Sequence, residues 1–145
     1  MAITTNAICN SFKKQLLGGE HDFDSAGGDT YKLAMYTSVA TLGASTTNYA
    51  TTNEVSSPSG YTAGGKALVN QGVKVSSGVA ITDFSDLSFT GVTLTARGAL
   101  IYNDSATGDP AVAVLDFGGD KTATAGTFTI QFPAFTTSAA ILRIA

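Results

Sequence analysis

Leu87-Ser88-Phe89-Thr90-Gly91-Val92-Thr93-Leu94-Thr95-Ala96 alternates apolar with hydroxylated residues and reads as a half-buried β-strand. Side chains along a strand point to opposite faces in turn, so this pattern offers one face to a core and one to solvent. Gly91 marks a bulge or break within it. The same reading extends outward in both directions. Downstream, Ala99-Leu100-Ile101-Tyr102 continues the strand, and Asn103–Pro110 is a turn. Ala111–Phe117 is a strand buried on at least one face, and Gly118-Gly119-Asp120-Lys121 a second turn. Thr127–Phe132 alternates with period two, and Ala140–Ile144 closes the chain. Upstream, Val79–Phe84 alternates cleanly, Ala67–Val75 is a strand interrupted at Gly72, and Tyr31–Thr37 is the first strand. Seven to nine short strands separated by turn signals predict a mainly β chain, an antiparallel sandwich or barrel-like domain.

One helix precedes the strands. Over residues 5–19, Ile8, Phe12 and Leu16 recur at helical spacing, widened by Cys9 and Leu17. Thr5 or Asn6 is placed to cap its start, and Gly18-Gly19 to end it. So short a helix needs a surface to dock on. Ile8, Phe12 and Leu16 are candidates for the core or for an interface. Residues 20–29 are acidic, glycine-rich and aperiodic, which predicts a loop. Residues 38–65 carry the turn-forming clusters Gly43–Asn48 and Ser56–Gly60 and no clear periodicity, which predicts a long ordered loop or arm. Tyr49, Val55 and Tyr61 are its apolar anchors. They either reach a partner, where aromatic side chains are enriched, or pin the arm to its own domain.

The chain has 145 residues, the size of one domain spanning 1–145, with residues 66–145 as the main run of strands. Charged residues are only 13 % of the chain, against roughly 25 % for globular proteins generally. The polar surface is instead mostly Ser, Thr and Asn. Neutral polar groups cost less to desolvate than charges, which suits a surface covered in an assembly or simply an all-β fold with many turns. A net charge of −3 with no basic stripe argues against nucleic-acid binding. Cys9 is the single cysteine, so no internal disulfide forms, and it reads as a small buried hydrophobe. No apolar stretch is long enough for a transmembrane helix, and the N-terminus lacks the basic and apolar regions of a signal peptide. The expectation is a chain made and kept in a cytosol.

Constellations that carry chemistry are weak. Gly60-Tyr61-Thr62-Ala63-Gly64-Gly65-Lys66-Ala67 follows the phosphate-loop pattern until its last position, where Ala67 replaces the hydroxyl that would hold magnesium. His21 is the only histidine. It lies among Glu20, Asp22 and Asp24, but the acidic loop lacks the ligand spacing of an EF-hand. No serine triad can be assembled from one histidine without a nucleophile elbow. Asp83, Asp86, Asp104, Asp109, Asp116 and Asp120 mostly sit in or beside predicted turns, the ordinary place for turn-forming aspartates. No catalytic residue, metal or cofactor is expected.

Several stretches resemble small virion-associated proteins of tailed phages. They are Tyr36-Thr37-Ser38, Ala40–Tyr49, Thr51–Val55 and Gly60–Gly65, then Thr95–Asn103 followed by Ala111–Gly118. The opening Ala7–Lys13 and closing Thr127–Pro133 fit the same pattern, so the resemblance spans nearly the whole chain. It implies a non-enzymatic structural protein of the virion, of the capsid cement or decoration type. Its partners would be the major capsid protein and copies of itself, with a trimer as the arrangement the resemblance suggests, assembled in the host cytoplasm. A tail-tube, tail-terminator or fibre-associated protein shares the same features. A carbohydrate-binding attachment module would instead need clustered carboxylates and exposed aromatic side chains on one surface.

Overall fold

A computed structural model of the chain describes residues 3–56 and 60–145. Ser57, Pro58 and Ser59, part of a predicted turn, lie outside the described residues. The chain is mainly β, and its described residues form one helix and two antiparallel sheets. Among the described residues the strands run in the order β1 (Ala7–Ile8), β2 (Tyr31–Tyr36), β3 (Lys66–Ala67), β4 (Asn70–Ser76), β5 (Val79–Phe84), β6 (Leu87–Asn103), β7 (Ala111–Ile130) and β8 (Leu142–Ile144). The helix α1 (Asn10–Leu17) follows β1. The larger sheet has the order β1-β7-β6-β2-β3 and the smaller β4-β5-β8. Both have open edges, so the architecture is sandwich-like and no barrel closes.

Not all the strands are short. β6 has 17 residues and β7 has 20, and they form one long hairpin. The predicted turn at Gly118–Lys121 is a bulge inside β7. Gly98 pairs with Asp116 and Ala96 with Lys121, so extra β7 residues loop out between those pairs while pairing resumes beyond them. Gly118 sits there at φ 79°, a conformation that a bulge needs as much as a turn does. Arg97 forms an ion pair with Asp116 beside it. That contact, joined by the Gly118 N–H, holds the Asp116 carboxyl below the usual carboxylate range.

The helix is shorter than the predicted 5–19. Ala7 and Ile8 pair with Val114 and Ala113 at the edge of the larger sheet, which takes their backbone groups out of the helix. Asn6 does not cap it; its side-chain oxygen accepts from the Asp116 N–H at 2.6 Å. Cys9 occupies the N-cap position without a side-chain cap. The C-terminus stops as predicted. Gly19 adopts φ 77°, its N–H donates to Leu16 C=O at 3.2 Å, and the Glu20 N–H donates to Gln15 C=O at 2.9 Å. That pattern is a Schellman stop, which requires a left-handed residue and so favours glycine.

The core lies on both faces of the larger sheet. Lys32 pairs with Tyr102 and Leu33 with Ile101, and cross-strand partners share a face. One face therefore carries Tyr36, Leu100 and Tyr102, and the other Tyr31, Leu33, Ile101 and Asn103. The second face is covered by α1, the loop 20–30 and the small sheet. There Tyr31 stacks on Phe23 at 4.3 Å, and Phe84 of β5 packs against Tyr31 at 5.7 Å. The first face is covered by residues of the 38–65 arm, where Tyr49 stacks on Tyr102 at 4.5 Å. Double coverage explains why Ala99–Asn103 is buried without interruption.

Candidate functional site

The described residues of the 38–65 arm hold no helix and make only isolated bridges, Tyr36 with Glu54 and Asn48 with Pro110. What holds it is a buried carboxylate. Glu54 is 9 % exposed. Its two oxygens accept from the hydroxyls of Tyr49 and Tyr61, each at 2.6 Å, and from the Gly64 N–H at 2.7 Å. The Tyr61 hydroxyl also accepts from the Met35 N–H of β2 at 2.9 Å. The Tyr102 hydroxyl donates to Gly64 C=O at 2.6 Å, and that of Tyr36 to Ala50 C=O at 2.7 Å. Hydrogen bonds to an ionised acceptor are shorter and stronger than neutral ones, which is how one side chain can fix so long a loop. Burial, then the bond to Glu54, pushes the Tyr49 and Tyr61 phenols well above their ordinary range, so both remain donors.

This clamp accounts for several residues singled out in the sequence. Val55 and Tyr61 are buried in the chain's own core, and Tyr49 packs against it half-buried. Phe12 is buried too, whereas Ile8 and Leu16 are half-buried at its margin. The loop resembling a phosphate binder is spent internally. Gly64 donates to Glu54, and Gly65 lies directly on the backbone of Leu33. The acidic loop also serves itself: the Asp22 N–H donates to Asp29 Oδ2 and the Asp24 N–H to Asp22 Oδ1, both at 3.0 Å. Among the described residues no three His, Cys, Asp or Glu side chains converge on one point.

Several other groups with chemical potential are buried or bonded within the chain. Cys9 is fully buried, and burial pushes its thiol up to about 11, which removes the thiolate a nucleophile needs. Asp83 lies in the expected strand Val79–Phe84, which is β5. It is fully buried in β5 and accepts from the Phe84 N–H at 2.9 Å; burial raises its carboxyl above the usual range. Asp86 accepts from the Phe132 N–H at 2.8 Å, and Asp104 faces Lys32 at 3.3 Å.

The surface offers something the sequence reading did not single out. On the small sheet, Val75 pairs with Ala80 and Ala80 with Ile144, while Val73 pairs with Thr82 and Thr82 with Leu142. These rows share one face. Val73, Val75 and Ile144 on it are 57 %, 70 % and 59 % exposed, and Leu17 at the end of α1 is 91 % exposed. The Val73-Ala80-Leu142 side of the face and the Phe12-Leu16 side of α1 form the walls of an open groove of about 980 Å³. Lys13, Asp22 and Arg143 supply its charge. The strand alternation of residues 73–75 was visible in the sequence; that both valines stay exposed was not.

No protein-family model, curated protein or solved structure matches the chain.

Proposed function

We propose that the chain is a non-enzymatic structural protein of a tailed-phage virion, a capsid cement or decoration protein that binds the major capsid protein and stabilises the shell. The observation that carries this reading is the exposed apolar face of Val73, Val75 and Ile144, set in a chain of low charge whose polar clusters are spent on holding its own loops. A solvent-exposed row of β-branched residues is costly for a free monomer and useful for an assembling one. Many identical weak contacts then act together on a shell. The phage setting comes from the resemblance in sequence. The attachment-module alternative finds less support, because Tyr31, Tyr36, Tyr61 and Tyr102 are all buried and unable to stack on a sugar.

Copy number per purified particle, measured by quantitative mass spectrometry against the major shell protein, tests the assignment. Hundreds of copies in a simple ratio to the shell protein are expected. A few to a few tens would move the chain to the tail or its fibres, and absence from the particle would sink the structural reading. The face itself is tested by Val73→Lys with Val75→Lys. Exposed positions change stability by roughly 0.5 kcal/mol or less, and lysine is well tolerated on exposed edge strands. The double variant should therefore keep its melting temperature and lose at least about tenfold in affinity for shells, about 1.4 kcal/mol. Unchanged shell binding would remove this face from the interface.

A further inference from the structure

Asn103 ends β6 fully buried, and every polar atom of its side chain is committed. Its oxygen accepts from the N–H groups of Ser105 at 2.9 Å and Ala106 at 3.3 Å. Its NH2 group donates to Asp29 Oδ2 at 2.8 Å and lies 3.1 Å from Nδ1 of His21. Turning the amide over would break both backbone bonds and set its oxygen against the Asp29 carboxylate. The NH2 must therefore face His21, and Nδ1 of that ring must accept. In a neutral imidazole the proton then resides on Nε2, where it donates to Gln15 Oε1 of α1 at 3.0 Å. His21 is 8 % exposed and sits 4.8 Å from the Phe12 ring of the same helix. One imidazole thus joins the helix to the end of β6, and does so in a single tautomer.

We propose that His21 is a pH-sensitive latch that holds α1 on the larger sheet while its imidazole is neutral and releases the helix when it is protonated. A proton on Nδ1 would point at the Asn103 NH2, donor against donor. The charges around the ring pull both ways. Asp29 and Glu20 favour the imidazolium; Asp22, on the same groove, has the same sign, and Lys13 and Arg143, which line that groove, oppose. Burial outweighs the carboxylates and holds His21 below its ordinary value of 6.5. A histidine depressed in the folded state contributes stability that is complete above its unfolded value and is lost as pH falls through the folded one. The latch is closed at neutral pH and opens under acid conditions. Opening would expose Phe12 and Leu16 on the wall of the groove, and this consequence does not depend on the virion reading.

His21 is the chain's only histidine, so its ring nitrogens can be followed by NMR in the unaltered protein. At pH 7.5 the Nε2–H tautomer is expected, with a titration midpoint below 6.5. Amide exchange of α1, corrected for the intrinsic effect of pH, should lose at least about tenfold in protection with that same midpoint, while Ala99–Ile101 of β6 stay protected. An Nδ1–H tautomer, a midpoint at or above 6.5, helix protection that ignores the ring titration, or simultaneous loss in β6 would each overturn the proposal.

Discussion

Glu54→Ala is expected to lose about 3–5 kcal/mol of stability, the sum of several charge-assisted hydrogen bonds taken as less than additive. The variant strips the shared acceptor from Tyr49, Tyr61 and the Gly64 N–H at once. Tyr61 is only 3 % exposed, so water reaches its hydroxyl only if the arm moves. Hydrogen exchange should accordingly rise across residues 48–56 and 60–65 before it rises in β6 and β7. Glu54→Gln keeps the size and one acceptor oxygen but turns an NH2 toward the other donors, and should lose about half as much. Urea denaturation with exchange mass spectrometry separates these outcomes. A loss under about 1 kcal/mol, the value of one ordinary hydrogen bond, would show that the arm is held by apolar packing instead.

Gly65→Ala should be as damaging for a different reason. Gly65 sits at φ 79°, and a Cβ there would lie 1.8 Å from the Leu33 carbonyl oxygen and 2.8 Å from Ala34 Cα. The left-handed conformation costs an L-residue about 1–2 kcal/mol, and backbone atoms cannot step aside as a flexible side chain can. The change must push the arm off β2 and break the Leu33–Lys66 pairing that starts β3, for a total of about 3–5 kcal/mol. Gly64→Ala is the control. Gly64 has φ 95°, but its nearest neighbour would be the Tyr102 hydroxyl at 3.5 Å, so only the conformational cost of about 1–2 kcal/mol applies. Equal losses at the two positions, read from urea midpoints, would mean that close approach to β2 is not what requires Gly65.

The strand pattern was legible because alternation reports burial directly. Val79–Phe84 and Leu87–Ala96 fall in strands, and Gly18-Gly19 ends the helix where its left-handed residue was expected. The bulge at Gly118 was not legible, since a glycine at positive φ serves a turn and a bulge alike, and only the partner strand decides whether pairing resumes. The start of the helix misled for a related reason. Ala7 and Ile8 suit a helix face and a strand edge equally, and the free edge of β7 claimed them. Gly72, at φ 92°, is a bulge inside β4 rather than a break, and the expected strand Ala67–Val75 divides earlier, at residues 68–69, where Lys66–Ala67 and Asn70–Ser76 go to different sheets.

The functional surfaces divide along the same line. Local periodicity determined that the chain is an antiparallel β protein with one short helix and an aperiodic arm, because those features depend on neighbours a few residues apart. Apolar character within the aperiodic arm marked Tyr49, Val55 and Tyr61 as its anchors, while leaving open what they anchor to. Only the tertiary structure decided that Glu54 gathers Tyr49 and Tyr61 inside the domain, that Asn103 dictates the His21 tautomer from 82 residues away, and that Val73 and Val75 stay exposed. Each of these depends on which distant backbone lies within hydrogen-bond or van der Waals reach. Those forces act over a few ångströms of space, and alternation along one strand shows that two faces differ without showing which of them will be covered.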